Sequence, residues 1–270
     1  MIRILTSLIL MTAALLTVAQ SLSYTLIAHR GLSSVAPENT LPAIEKALEL
    51  GVDRIEIDVQ MTRDGEVILM HDRTLNRTTS GKGAVRNHDL KEIQSLDAGS
   101  WFGHDCNGIM VPTLQQTLEL INGRCLLMIE VKNHSGYTPG IERKVAEIIR
   151  SHNAGSWCVV ISLKHRVIRN FHDHEPDIRL HRSYVGKIPW VPLWLDGFIT
   201  LRGFKQYPYV EEFNLNKSFI TKCILKKAGR MGKRINAWTD DQPKHAEKLI
   251  RRGVNGIITN YPQRYITVTQ

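Results

Sequence analysis

The sequence predicts an α/β fold, a TIM-type (β/α)8 barrel with an irregular hairpin around residues 54–71. Three observations carry this. Short Ile-, Val- and Leu-rich runs alternate with longer amphipathic stretches along most of the 270 residues, the pattern of strands separated by helices. Alternation sustained through a whole chain implies a parallel sheet covered by helices, and the number of runs fits a closed eight-stranded barrel better than an open sheet. Finally, Asp64-Gly65 separates two strand-like runs by a link too short for a parallel crossover, so those two runs pair antiparallel.

Taken in order, strands are expected at 24–29, 54–60, 66–71, 125–132, 157–162, 178–183, 196–201, 234–239 and 256–259. Helices are expected at 38–50, 113–121, 141–152, 164–174, 216–229 and 242–252, with Asn39-Thr40 before Pro42 as a start signal and Gly253 after Arg252 as a stop. The turn at Asp64-Gly65 folds His71 back towards Glu56 and Asp58. With no linker-like composition, short repeat or low-complexity run, residues 24–270 read as one continuous barrel domain.

Residues 1–23 stand apart. Met1-Ile2-Arg3 precedes an apolar stretch from residue 4 to 19 broken only by Thr6, Ser7, Thr12 and Thr17, the layout of a secretory signal peptide with cleavage after Ala19 or Ser23. A retained N-terminal membrane anchor is the competing reading, because the apolar run is near the lower limit for spanning a bilayer. Either way the protein is expected to be exported, periplasmic or extracellular, or membrane-anchored.

The four cysteines, Cys106, Cys125, Cys158 and Cys223, lack metal-ligand spacing, and Cys125 and Cys158 fall at or inside apolar strands, where a free cysteine acts as a small hydrophobe. The net charge of +9 suits nucleic acid, an anionic membrane surface or a phosphorylated substrate. Much of the excess lies between Lys222 and Arg252 on helix-like stretches, where solvated helix faces account for it and attraction to a membrane surface is the alternative. No Gly-rich phosphate-cradling loop is present, which argues against nucleotide-driven transfer.

Chemistry gathers at strand ends. His29 and Arg30 close the first strand. Glu56 and Asp58 alternate along the second, and residues two apart on a strand face one side. His71 closes the hairpin, and Glu130 and Lys132 repeat the alternation on a later strand. In a parallel barrel the C-terminal strand ends share one face, so Glu56, Asp58 and Glu130 converge as hard oxygen donors suited to Mg2+ or Ca2+ rather than zinc. Two histidines beside such a cluster read as an acid and a base, and Arg30 and Lys132 supply positive charge for a phosphate.

The runs His29-Arg30-Gly31, Pro37-Glu38-Asn39-Thr40, Glu56-Ile57-Asp58-Val59, Thr62-Arg63-Asp64-Gly65, His71-Asp72 and Glu130-Val131-Lys132 resemble the glycerophosphodiester phosphodiesterase family. Arg77-Thr78-Thr79, Gly81-Lys82-Gly83, the 96–102 run, Pro112-Thr113-Leu114, Ala237-Trp238-Thr239 and the 253–259 run extend the resemblance from about Ile27 to Pro262. It implies hydrolysis of a glycerophosphodiester to an alcohol and sn-glycerol 3-phosphate. His29 and His71 match the general acid/base pair, and Glu56, Asp58 and Glu130 match the ligands of one divalent metal, Mg2+ or Ca2+. Arg30 and Lys132 match phosphate-holding residues, and Trp238 an aromatic position near the glycerol pocket. The partner implied is a small-molecule glycerophosphodiester, with membrane-surface contact as an addition; no nucleic acid is expected, and the oligomeric state stays open.

The chain departs from the family pattern in three places. A Ser-Phe pair is Ser162-Leu163 here, Thr-Val-Asn becomes Thr239-Asp240-Asp241, and a late Thr-Asp becomes Thr259-Asn260. These positions are expected where a leaving alcohol is read. Two alternatives follow. One is lysophospholipase D-type cleavage at the same site, with Trp190, Trp194 and Leu195 as an apolar groove; the other is a non-catalytic barrel that binds phosphodiesters or membranes.

Overall fold

The computed structural model describes residues 23–133, 138–185 and 203–266. The expected leader, the strand at 196–201 and the groove residues Trp190, Trp194 and Leu195 lie outside them, apart from Ser23. Among the described residues, no helix is long and apolar enough to cross a membrane.

The strands are β1 (Thr25–His29), β2 (Arg54–Met61), β3 (Val67–Leu69), β4 (Leu126–Val131), β5 (Cys158–Ser162), β6 (Leu180–Tyr184), β7 (Glu212–Asn216), β8 (Arg234–Trp238) and β9 (Gly256–Thr259). Between them run α1 (Leu41–Leu50), α2 (Leu90–Gln94), α3 (Leu114–Ile121), α4 (Ile141–Ser151), α5 (His165–His174), α6 (Gly203–Gln206), α7 (Lys222–Arg230) and α8 (Pro243–Arg251). The strand order is β1-β9-β8-β7-β6-β5-β4-β2-β3, and an additional β1–β2 pairing closes the ring. Every pairing in the ring is parallel. The predicted (β/α)8 barrel is therefore what forms, and the predicted hairpin is present as β3, antiparallel on β2 with Val59 opposite Leu69.

Alternation along the strands decides what fills the barrel. Ile55, Ile57 and Val59 of β2 point outward into the core shared with the helices, as do Ile129, Val160, Phe213 and Ile235. Inward go Ile27, Met128, Val159, Ile161 and Ile258, with Trp238 packed on them. A second, smaller core of Ile68, Met70, Leu75, Val85, Ile93, Ala98 and Val111 sits under the stretch between β2 and α3. That stretch, which carries β3 and α2, is thus an insert with its own packing.

Two element assignments are corrected. The sixth barrel strand within the described residues is Glu212–Asn216, a strand absent from the sequence pattern because Glu212, Asn214 and Asn216 alternate with only two apolar side chains. The helix expected from 216 begins instead at Lys222, where the Thr221 hydroxyl accepts from the Ile224 amide. The cysteines are all free, as their placing implied. Burial pushes the Cys158 thiol up to about 12 and the Cys125 thiol up to about 11, which keeps both protonated. The basic residues of α7 and α8 lie mostly on exposed faces, with Leu225, Ala228, Ala246 and Leu249 turned inward.

The N-terminal end of the barrel is tied by ion pairs that meet at Glu212, the shortest of them with Arg54. Arg54 at the start of β2 donates to both carboxylate oxygens of Glu212 at the start of β7, at 2.8 and 3.0 Å. These strands lie half-way around the ring from each other, so the pair spans the interior. Asn236 of β8 donates a further bond to Glu212 at 2.9 Å. Burial alone would raise the Glu212 carboxyl, but the Arg54 hydrogen bonds outweigh it and hold it at about 2. Glu212→Gln is expected to lower the unfolding free energy by about 3–5 kcal/mol at neutral pH, because Arg54 stays buried without its counter-charge. In the wild type a depressed carboxyl contributes stability above its ordinary range and loses it as pH falls through about 2. Urea titrations of both proteins at pH 7 and pH 3 check this; equal midpoints at pH 7 would contradict it.

Candidate active site

At the opposite end, β1 stops at His29 and the chain turns sharply. Arg30 takes φ of +61° and Gly31 φ of +78°. A Cβ at Gly31 would lie 2.6 Å from the Ala43 carbonyl carbon, so the turn packs directly on the first turn of α1. This bend aims the Arg30 amide at Glu56 Oε2, 3.2 Å away, and its guanidinium at Asp58 and Glu38, at 3.1 and 2.8 Å.

Asn39 also sits at positive φ, +57°. Its Oδ1 accepts from the Asp58 amide at 3.0 Å and its Nδ2 donates to Asp58 Oδ2 at 2.9 Å. The helix start read at Asn39-Thr40 therefore divides into two tasks. Thr40 caps α1, with Pro42 in the first turn, and Asn39 clasps β2.

Glu56, Asp58 and Glu130 are all buried, and one oxygen from each lies within 4.8 Å of the others. Parallel pairing sets Asp58 directly beside Glu130. Lys132 Nζ bridges them, 3.1 Å from Asp58 Oδ1 and 3.1 Å from Glu130 Oε2. Burial, then Asp58 and Glu130, push the Glu56 carboxyl well above its usual range. For Asp58 burial works the same way, but Lys132 and Arg30 outweigh it and hold its carboxyl below the usual range. Lys132 is raised despite its burial, chiefly by Asp58 and Glu130. Glu56 Oε1 and Glu130 Oε1 are buried without a hydrogen-bond partner among the described residues. Unmatched buried carboxylate oxygens on hard donors are what a divalent cation satisfies, so these residues fit one.

The two histidines approach from different structural units. His29 Nδ1 lies 2.7 Å from Asn260 Oδ1, and its Nε2 lies 3.9 Å from Glu56 Oε2. Burial, then Arg30, lower the His29 imidazole to about 4. His71 belongs to the insert, and its Nδ1 lies 2.7 Å from Asp72 Oδ1. Hydrogen bonds from Arg77 hold the Asp72 carboxyl below its usual range. Arg77 also grips Glu38 at 2.9 and 2.7 Å, and Glu38 in turn holds Arg30.

His29, Arg30, Glu56, His71, Glu130 and Lys132 all line one cavity of about 190 Å3. Trp238, Ile161 and Leu163 form its apolar wall, and Trp238 Nε1 is a buried donor with no partner among the described residues. Asp58 lies fully buried beneath. All eight residues singled out from the sequence thus meet at one end of the barrel. The departures from the family pattern divide. Leu163 lines the cavity, as does Thr239, the unchanged residue before Asp240-Asp241. Asp240 is fully buried and bound to His245 and Lys217, while Asn260 contacts His29 and Asp241 contacts Asn260.

The model of the glycerophosphoryl diester phosphodiesterase family matches residues 29–264. The chain belongs to that family. It is 35% identical over 247 residues to a glycerophosphodiester phosphodiesterase of Caldanaerobacter subterraneus subsp. tengcongensis, covering 90% of this chain and 97% of the relative. To the glycerophosphodiester phosphodiesterase of Bacillus altitudinis it is 33% identical, covering 91% and 98%. Among solved structures, an Oleispira antarctica phosphodiesterase in complex with the product sn-glycerol-3-phosphate superposes with a TM-score of 0.77 at 26% identity, covering 92% of this chain and 97% of the other.

Arg30, Lys132 and the carboxylates were legible from strand-end alternation. Asn39, Asp72, Arg77 and Asn260 were not, because each acts through a loop whose backbone conformation no periodicity encodes. Removing the Asn39 clasp strands the buried Asp58 amide. Asn39→Ala is therefore expected to lower stability by about 1–3 kcal/mol, read from chemical denaturation, and a value within error of wild type would contradict the role.

Proposed function

We propose that this member of the family hydrolyses glycerophosphodiesters to an alcohol and sn-glycerol 3-phosphate, with His29 and His71 transferring protons and a divalent metal held by Glu56, Asp58 and Glu130. The observation that carries the reading is one cavity with two histidines above three buried carboxylates, two of whose oxygens lack partners. The product bound to the Oleispira antarctica phosphodiesterase supports the choice of substrate class.

Glu56, Asp58 and Glu130 would hold the divalent cation, which would supply positive charge to the phosphate and acidify a neighbouring hydroxyl or water. The chain's own residues do the rest. Arg30 and Lys132 flank the carboxylates and hold the phosphodiester's negative charge at the cavity floor. Trp238 presents its unmatched N–H and its ring to the glycerol moiety. Burial keeps His29 neutral near pH 7, able to accept a proton from the nucleophile. The carboxylate of Asp72 holds the His71 ring by Nδ1, which orients its other nitrogen to protonate the leaving alkoxide.

His29→Ala and His71→Ala are each expected to reduce release of glycerol 3-phosphate by roughly 10²–10⁴-fold while the circular dichroism spectrum stays that of the wild type. Full activity in either variant would sink the assignment. Chelation is expected to silence turnover and Mg2+ or Ca2+ to restore it, whereas turnover indifferent to EDTA would remove the metal from the scheme. Glycerophosphocholine assayed beside lysophosphatidylcholine reads the substrate class directly, with faster turnover of the former expected.

A further inference from the structure

Behind His29 stands a relay that the scheme above does not use. Asn260, directly after β9, accepts at Oδ1 from the Ser33 hydroxyl at 3.2 Å and lies 2.7 Å from His29 Nδ1. On its other side, Asn260 donates from its backbone N and from Nδ2 to the two oxygens of Asp241, at 2.8 and 2.9 Å. Asp241 also accepts from the Thr259 hydroxyl at 2.9 Å.

This arrangement removes a freedom that an asparagine ordinarily has. The two ends of an amide look alike in shape, so an isolated Asn can present either oxygen or NH2 to a histidine. Here a carboxylate, which only accepts, faces one end. The NH2 must turn to Asp241, since the flipped amide would set Oδ1 against a carboxylate oxygen. Oδ1 is then fixed towards His29, and an acceptor in that place requires the proton on Nδ1. Nε2 keeps its lone pair on the side of Glu56 and the cavity.

We propose that Asp241 and Asn260 are positioning residues that lock His29 in its Nδ1–H tautomer and so aim the bare Nε2 into the cavity. The inference rests on the reading of His29 as a proton-transfer group. It also gives a reason for two of the chain's departures from the family pattern. Asn gives way to Asp at 241 and Asp to Asn at 260, so the pair keeps one carboxylate and one amide with their places exchanged. The carboxylate stands one residue further from the imidazole, and a neutral group touches it. His71, by contrast, has a carboxylate in direct contact. The two histidines are thereby held unequally, His29 by an amide oxygen and His71 by a carboxylate.

The test is ¹⁵N-resolved NMR of the imidazole nitrogens in the full chain loaded with Mg2+, at neutral pH, with His29 assigned by comparison with His29→Gln. The wild type is expected to show Nδ1 protonated and Nε2 bare. Asp241→Asn frees the Asn260 amide to flip, so His29 is expected to become a mixture of tautomers and kcat to fall roughly 10-fold or more, with KM within about twofold because Asp241 does not line the cavity. Asn260→Asp sets two carboxylates face to face and is expected to lose activity similarly. The exchange variant D241N/N260D is expected to recover most of the rate, since one carboxylate and one amide face each other again. A wild-type His29 protonated at Nε2 overturns the proposal with no variant needed, as does an Asp241→Asn protein with unchanged tautomer and kcat. Failure of the wild type to hydrolyse glycerophosphodiesters would instead remove the functional reading, and the wild-type spectrum would still decide the tautomer.

Discussion

Three carboxylates of one sign, buried within 4.8 Å of one another, are the constraint around which this end of the molecule is built. Such a group is unfavourable unless positive charge is fixed close by. The chain meets the demand with Lys132 between Asp58 and Glu130, and with Arg30 against Asp58. Placing Arg30 requires the left-handed bend at the end of β1, the bend requires glycine at 31, and Gly31 lets α1 approach closely enough for Asn39 to clasp β2. A run of apparently separate local features is one solution to a charge problem. Its incompleteness, two buried oxygens without partners, is the part left for a ligand.

The far end of the barrel meets the same kind of problem with cations in excess of acid. Arg54 and Asn236 both donate to Glu212 across the interior and Arg234 lies 3.7 Å from it, and the Glu212 carboxyl is pulled down where Glu56 is pushed up. Similar residue types inside the same ring of strands thus reach opposite electrostatic states. The difference lies in the count of cations against carboxylates within reach.

How much of this the sequence disclosed follows from which physical rule each part obeys. β2 and β4 were legible because their outward faces are Ile, Val and Leu and their inward faces carry acids, so a period of two stands out. β7 was hidden because its inward Glu212, Asn214 and Asn216 fill the polar interior, leaving too few apolar positions to mark a strand. Glu56, Asp58 and Glu130 were legible as strand-end acids, and His71 through the Asp64-Gly65 turn. Asp72, Arg77 and Asn260 depend on distances between loops, and only the folded chain sets those. Positions 241 and 260 stand out as departures, and their contacts with each other and with His29 come from loops that the sequence pattern does not place.

The insert between β2 and α3 has a core that shares no buried residue with the barrel's, and it brings His71 to a cavity whose other histidine belongs to β1. The two cores are nevertheless stitched together: Val67 and Leu69 on either side of Ile68 turn into the barrel core, and the Met70 amide donates to the Asp58 carbonyl at 2.9 Å. A change at Met70 therefore bears on the wall that carries His71 and on the strand that carries the carboxylates at once, so the two walls of the pocket share a hinge at Asp58.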